Sequence, residues 1–400
     1  MNNTKSKKME AKKISNQDKS RRDFIKTSAV VGAGLAIVPT FSLFSQNQKN
    51  NTMSNNIKSK GYAGTNDKNP LTAWEFERRP VGDNDILIEI KFSGICHSDI
   101  HQIQGHWGPQ QYPQVPGHEI AGIVTAVGRN VTKFKVGDKA GVGCMVDGCT
   151  TCENEEQYQQ DTLFTYGYPD KREPSGITQG GYANNVVVRD HYAIKIPESI
   201  ELKYAAPLLC AGITTYSPMM QFDAMKENHK VGVVGIGGLG HMAIQLAVSK
   251  GAEVYAFTTS QEKIEDIKRF GAKEAVVVTN SEDLAPWKGK LDYMISTVPY
   301  AYEMSPYIDC VKPYGYFTQV GQPVGGALEI NNFNMIFNRV NFNGSLIGGI
   351  KDTQEVVDYC AENKIYPQIE IIKADQINEA WKKVVNKEAR YRYVIDASTF

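Results

Sequence analysis

The chain has 400 residues, more than one hydrophobic core usually supports, so two domains and a tail are expected. Apolar content of 41% and charged content of 22% are ordinary for a soluble globular protein, and Lys plus Arg balance Asp plus Glu at 44 each, which excludes a global field that draws in nucleic acid or an anionic membrane surface. Seven cysteines are far too few for a disulfide scaffold, and the odd count leaves at least one unpaired unless a metal or a second chain takes it.

Residues 1–45 read as an address rather than a fold. Ser20-Arg21-Arg22-Asp23-Phe24-Ile25-Lys26 follows a lysine-rich start and precedes an apolar, small-residue run over 29–38 and the helix breaker Pro39, the order of a twin-arginine signal. The run is too short for stable membrane insertion, and no clean A-x-A cleavage site follows it. A disordered basic tail is the competing reading. Residues 46–56 are polar and read as a linker. Export by the twin-arginine machinery handles folded cargo, so the expected location is the periplasm, or the cytoplasm if the signal is not used.

From 57 to 208 the chain is rich in glycine and in short β-branched runs, such as Ile86-Leu87-Ile88-Glu89-Ile90 and the segments 120–127 and 182–188, which predicts β-structure with irregular loops. Cys96 lies there in Gly94-Ile95-Cys96-His97-Ser98-Asp99-Ile100-His101, and His118 in Pro116-Gly117-His118-Glu119. Cys210 comes much later, in Leu208-Leu209-Cys210-Ala211-Gly212. An isolated cysteine is most often a small buried hydrophobe. Two thiolates and one imidazole together leave the fourth position of a tetrahedral zinc open, as a catalytic zinc needs if it is to bind an alcohol or aldehyde oxygen.

Beyond Gly212 strands and helices alternate: strand 231–234, helix 239–250, strand 253–257, helix 261–270, then strands at 275–278, 293–297 and 316–320. That order implies a parallel sheet with right-handed crossovers. Gly235-Ile236-Gly237-Gly238-Leu239-Gly240 stands between the first strand and first helix, where a dinucleotide fingerprint lets backbone N–H groups approach a pyrophosphate at the positive end of a helix. A purely structural glycine turn is the bland alternative. At the end of the second strand, where an acidic residue would select NAD, the chain has Thr258-Thr259-Ser260 and then Lys263. Hydroxyls can donate to a 2′-phosphate and an ammonium can neutralise it, so NADP(H) is expected; a strand end that tolerates either cofactor is the alternative. The last fifty residues return to mixed helix and strand and are expected to rejoin the first domain.

The quoted segments, with Gly348-Gly349-Ile350-Lys351-Asp352-Thr353-Gln354, resemble the medium-chain zinc alcohol dehydrogenases, most closely the cinnamyl alcohol dehydrogenase branch with its bacterial broad-range aldehyde reductases. The likeness runs from about residue 57 to the C-terminus. It implies an α/β chain: a GroES-like β-rich catalytic domain, 57–208 completed by 349–400, with a Rossmann nucleotide-binding domain inserted at 209–348. It further implies that Cys96, His118 and Cys210 ligate the catalytic zinc, that Glu119 approaches the metal when water is exchanged, and that Asp99 orients the metal-bound imidazole. By the same likeness Ser98 contacts the substrate oxygen, His101 passes the proton to solvent, Thr214 lies near the nicotinamide and Trp107 walls the substrate pocket. A homodimer through the edge of the nucleotide domain is implied as well.

The chain departs from these relatives where they carry a second, structural zinc on four cysteines. Cys149-Thr150-Thr151-Cys152 is followed by Glu153-Asn154-Glu155-Glu156-Gln157-Tyr158-Gln159, with Gln159 in the place of the last cysteine. Two thiolates cannot close a tetrahedral site, so one zinc per chain is expected, with Cys149 and Cys152 either disulfide-bonded or a free pair. Cys144, Cys310 and Cys360 have no motif around them and read as buried. The expected function is hydride transfer between NADP(H), carried out of the cytoplasm already bound, and a small alcohol or aldehyde, with aldehyde reduction favoured. NAD-dependent alcohol oxidation and a catalytically idle zinc- or nucleotide-binding relative are the alternatives.

Overall fold

Two large β-sheets organise the chain in a computed structural model that describes residues 56–152, 155–159, 161–324 and 329–400. The export signal and nearly all of the linker lie outside the described residues. The chain begins with a hairpin of β1 (Ile57–Ala63) and β2 (Thr72–Arg78). The long strand β3 (Asp85–Gly94) follows, then helix α1 (His97–Ile103), β4 (Ile120–Val127), β5 (Lys139–Val142), the short pair β6 (Met145–Asp147) and β7 (Leu163–Phe164), β8 (Asn185–Arg189) and β9 (Ala193–Lys195). On β3, Ile86, Ile88 and Ile90 are buried while Glu89 is exposed, the period of two expected of a strand with one face on a core. Each such isoleucine contributes about 2 kcal/mol of burial.

The strand expected over 182–188 begins only at Asn185. The reason is the backbone bonding of Tyr182, whose N–H donates to Pro116 O at 2.9 Å and whose carbonyl accepts from Tyr62 N–H at 2.9 Å, so neither group is available to β3.

Helix α2 (Leu202–Pro207), a π-helical turn (Leu208–Gly212) and α3 (Ile213–Gln221) run on without a break and lead to the second sheet. Its strands are β10 (Lys230–Val234), β11 (Glu253–Thr258), β12 (Glu274–Val277), β13 (Leu291–Ser296), β14 (Val311–Gln319) and β15 (Asn341–Gly344). They lie in the order β12-β11-β10-β13-β14-β15, and every pairing is parallel. This is a Rossmann-type doubly wound sheet, with its order reversing beside β10. The intervening helices are α4 (Gly240–Ser249), α5 (Ile264–Arg269), α6 (Ser305–Ile308) and α7 (Phe333–Asn338). The helix expected over 261–270 starts as a 3₁₀ turn, Gln261–Lys263, closed by Lys263 N–H on Ser260 O at 3.3 Å, before α5 takes over.

The chain then returns. Helix α8 (Ile350–Asn363), β16 (Ile369–Ile372), α9 (Ile377–Val385) and β17 (Arg392–Asp396) complete the first sheet, whose order is β16-β17-β3-β4-β5-β9 with β8 also on β3. The pairing of β17 with β3 is antiparallel, Val394 opposite Gly94. It sets β17 beside the turn that leads into Cys96, and this is what brings Arg392 to the site. No helix of the described residues is long and apolar enough to cross a membrane.

Candidate active site

A cleft of about 1870 Å³ runs along the carboxyl ends of the parallel strands and past α1. It is larger than the roughly 300–1,000 Å³ of an ordinary small-ligand pocket, so it has room for a dinucleotide and a substrate together. On one wall Cys96 caps α1, His118 and Glu119 precede β4, and Cys210 lies in the π-helical turn, a kind of insertion that recurs at functional sites. The ligand atoms of these four buried residues all lie within 4.8 Å of one another. Cys96 Sγ is 3.8 Å from Cys210 Sγ, and His118 Nε2 is 3.2 Å from that same sulfur.

Asp99, wholly buried, holds this group in place. Its Oδ1 accepts from Gly117 N–H at 3.1 Å and lies 2.9 Å from His118 Nδ1, while its Oδ2 accepts from Cys96 N–H at 2.9 Å and Tyr182 O–H at 3.0 Å. A carboxylate on Nδ1 fixes the proton there and turns the Nε2 lone pair toward the thiols. Burial opposes charge on His118, but Asp99 raises its pKa well above the usual imidazole range. The contact with Cys210 holds the Cys96 thiol well below the ordinary range, against its own burial.

Glu119 is wholly buried behind the cluster, and burial pushes its pKa up to about 8 even though Arg392 opposes the shift. Arg392 Nη2 comes within 2.8 Å of Glu119 Oε1, close enough for an ion pair but without hydrogen-bond geometry, so both carboxylate oxygens lack a hydrogen-bond partner among the described residues. Two thiols, an imidazole and a carboxylate without hydrogen-bond partners, all buried and converging on one wall of the cleft, are the donor set of a catalytic zinc with a replaceable position. The residues present therefore fit that metal.

Ser98, His101, Trp107 and Thr214 line the same cleft. His101 is 5% exposed, stacks on His97 with ring centroids 4.7 Å apart and has Trp107 at 5.4 Å. Burial, helped by His97 and His106, depresses its pKa to about 4, so the ring is neutral at physiological pH. Trp107 remains 43% exposed, at the mouth.

On the opposite wall Gly235, Gly237, Gly238, Thr258, Thr259, Ser260 and Lys263 face the cleft, while Gly240 is enclosed at the start of α4. A Cβ on Gly240 would stand 2.1 Å from Gly235 O, so only glycine lets the helix begin this close to the strand end. Thr258 Oγ1 accepts from Ser260 N–H at 3.1 Å, and Lys263 Nζ donates to Ile236 O at 2.6 Å. Burial, with Arg390 and Lys387 nearby, lowers the Lys263 pKa to about 8. Cations gathered at the end of the second strand make a place for an anion.

Four contributors had no sequence signal of their own. Arg392 donates to Ile95 O at 3.1 Å and faces Glu119, but lies 273 positions beyond it. Tyr182, expected as a strand residue, is a ligand of Asp99 instead. His106 contacts His101 across a turn. Cys144, expected only to be buried, is half-buried on the cleft wall, where its neighbour Cys210 holds the thiol below its ordinary range. Cys310 and Cys360 are fully buried. Cys149 and Cys152 stand as free thiols, Cys149 lowered and Cys152 raised to about 11 by their mutual contact. The segment after them is tied down by the buried Gln157, whose Oε1 accepts from Ile350 N–H at the start of α8 at 2.9 Å.

Comparison with known proteins gives three family matches: an alcohol dehydrogenase GroES-like domain over residues 82–198, a zinc-binding dehydrogenase over 238–362, and a twin-arginine translocation pathway signal sequence over 20–38. The NADP-dependent alcohol dehydrogenase C 1 of Mycolicibacterium smegmatis is 44% identical over 342 residues, 84% of this chain and 97% of that protein. The aldehyde reductase YahK of Escherichia coli is 44% identical over 86% of this chain and 99% of its own length. Among solved structures, a cinnamyl alcohol dehydrogenase from Sorghum bicolor superposes with a TM-score of 0.83 at 36% identity, covering 86% of this chain and 98% of that one.

Proposed function

Because the chain belongs to the medium-chain zinc alcohol dehydrogenases, we propose that it interconverts aldehydes and primary alcohols with NADP(H), aldehyde reduction being the favoured direction and aromatic aldehydes among its substrates. It is a zinc- and nicotinamide-dependent oxidoreductase of alcohols and aldehydes, and its twin-arginine signal directs it to the periplasm. The observation that carries this reading is the convergence of Cys96, His118, Glu119 and Cys210 on the wall of a cleft whose other wall is the glycine loop.

Cys96, His118 and Cys210 would hold the zinc, with Glu119 as the exchangeable carboxylate; bound there, the metal supplies a Lewis acid for the substrate oxygen and NADPH supplies the hydride. Asp99 keeps His118 in the tautomer that can ligate. Ser98 and His101 handle the proton that the substrate oxygen gains or loses, and a neutral His101 is ready to accept one during alcohol oxidation. Trp107 screens the mouth. Lys263, with the hydroxyls of Thr258, Thr259 and Ser260, binds the 2′-phosphate, and Gly235, Gly237 and Gly238 admit the pyrophosphate. One zinc per chain suffices, since Gln157 and α8 secure the lobe that a structural zinc secures in relatives.

The same reading divides the chain into a catalytic domain, 57–208 with 349–400, and a nucleotide domain at 209–348. It also takes the twin-arginine machinery as the export partner and a second copy of the chain as the partner at the exposed edge of β15. The decisive experiment adds an aromatic aldehyde to zinc-loaded enzyme and NADPH, alongside Cys96→Ser. Wild-type enzyme oxidises NADPH and contains one zinc; Cys96→Ser loses on the order of a thousandfold in turnover while still binding NADPH. Unchanged activity in that variant contradicts the assignment.

A further inference from the structure

The end of helix α1 builds a contact that the reaction described above does not yet use. Gln104 closes the helix, and Gly105 follows in the left-handed conformation at φ +66°. Gly105 N–H donates to Gln102 O and His106 N–H to His101 O, both at 3.0 Å. This pair of reversed bonds is a Schellman motif, in which the residue after the glycine folds back over the third residue from the helix end. An apolar pair normally meets there. Here the two side chains are imidazoles, with His101 Nδ1 2.9 Å from His106 Nδ1 and ring centroids 5.2 Å apart.

Two ring nitrogens at that separation share a proton, one donating and the other accepting. The rings differ in surroundings. His101 is buried, and its Nε2 has no hydrogen-bond partner among the described residues although the ring lines the cleft. His106 is exposed. The remaining groups facing the pair are His97 stacked on His101, Trp107 beside it, and the charges of Cys96 and Arg392, which act on His101 and His97. The contact therefore leads from a free nitrogen inside the cleft to a ring in water.

We infer that His106 is the outlet of the proton path: it exchanges the proton of His101 with solvent and so acts as a positioning and relay residue for hydride transfer. The inference rests on the reading of His101 as proton carrier. In alcohol oxidation a proton from the substrate side bonds to His101 Nε2, the Nδ1 proton of His101 crosses to His106 Nδ1, and His106 releases its Nε2 proton to water. Each hop breaks one N–H or O–H bond and forms one, and no electrons move. One such passage delivers one proton to solvent and leaves each ring in its other tautomer, which returns by exchange of ring protons with water while the contact between the rings is broken, so no proton is carried back along the path; in aldehyde reduction the path runs inward.

The test uses zinc-loaded full-length enzyme with NADP⁺ and benzyl alcohol in weak buffer, following hydride transfer by NADPH absorbance and proton release by an indicator dye. His106→Gln and, as a second variant, His106→Asn are compared with His101→Gln and with the double variant, each checked for an unchanged circular dichroism spectrum. Proton release is expected to slow about tenfold in both His106 variants, with KM for the alcohol unchanged, and to recover on adding free imidazole, as general acid–base roles of this kind do. The double variant is expected to be no slower than His101→Gln alone. If His101→Gln slows proton release and neither His106 variant does, the outlet is elsewhere and only this inference is lost. If His101→Gln itself leaves proton release and its pH profile intact, the prior assignment of His101 is overturned, and this inference with it.

Discussion

At the scale of single residues, the site separates groups that chemistry demands from groups that geometry supplies. Cysteine and histidine at 96, 118 and 210 announce a metal by their type, and the acid at 99 by its position beside them. Lys263 is a similar case on the nucleotide side, because an ammonium held at the end of β11 has a carbonyl for a partner and two further cations nearby. Replacing it is expected to reduce discrimination rather than binding as a whole. Lys263→Gln should lower kcat/KM for NADPH by roughly ten- to a hundredfold, the worth of a hydrogen bond to a charged group, and leave NADH nearly unchanged. Steady-state kinetics with both coenzymes measure it, and an equal loss for the two would argue against a 2′-phosphate contact. Arg392 and Tyr182 carry no comparable mark in the sequence, since their partners Glu119 and Asp99 meet them only after the chain has folded.

At the scale of elements, helix α4 does more than present the glycine loop. Its His241 is fully buried: Gln368 N–H donates to Nε2 at 3.1 Å, so the ring proton sits on Nδ1 and points to Gly237 O at 3.1 Å. The imidazole thus ties the nucleotide loop to Gln368, the residue that leads into β16. Burial, with Arg392 adding to it, pushes its pKa down to about 3, because a second proton would land on the nitrogen that already accepts. The folded pKa is depressed, so this contribution to stability is whole above about pH 6.5 and drains away as pH falls toward 3, amounting to a few kcal/mol in all. Denaturant titrations across that range should record the fall, and His241→Gln should flatten it; a slope unaffected by the substitution would place the acid sensitivity in other groups. Helix α1 was legible only as the carrier of a ligand motif. Gly105 was the available sign that the chain reverses over His101, but its meaning depends on where the helix ends, and helix ends are the part of an element that sequence resolves least well.

At the scale of the whole molecule, the described surface has one conspicuous apolar face. Phe333, Ile336 and Phe337 on α7 are 65%, 73% and 75% exposed, on the helix that leads into the edge strand β15. An edge with open backbone groups beside bare aromatic rings is a place where a second copy can add its own strand. The paired change Ile336→Asp with Phe337→Asp is expected to halve the mass seen by light scattering without loss of helix signal; a wild-type chain that is already monomeric would end that proposal. The Rossmann sheet was readable because its strands and helices alternate along the sequence, each announcing the next. The first sheet was readable only in pieces. Apart from β3 and β4 its strands are short, its loops carry the chemistry, and β17 joins β3 across 300 positions, Val394 against Gly94. That last pairing has a consequence for the order of events in the cell. A ribosome releases the export address well before the closing strand, so the metal pocket, which has Arg392 at its back, stays unfinished until β17 has emerged. A translocase that threaded the nascent chain from its leading end would carry away a polypeptide that had never enclosed its cofactors, whereas a route that waits for the finished globule carries them along inside it.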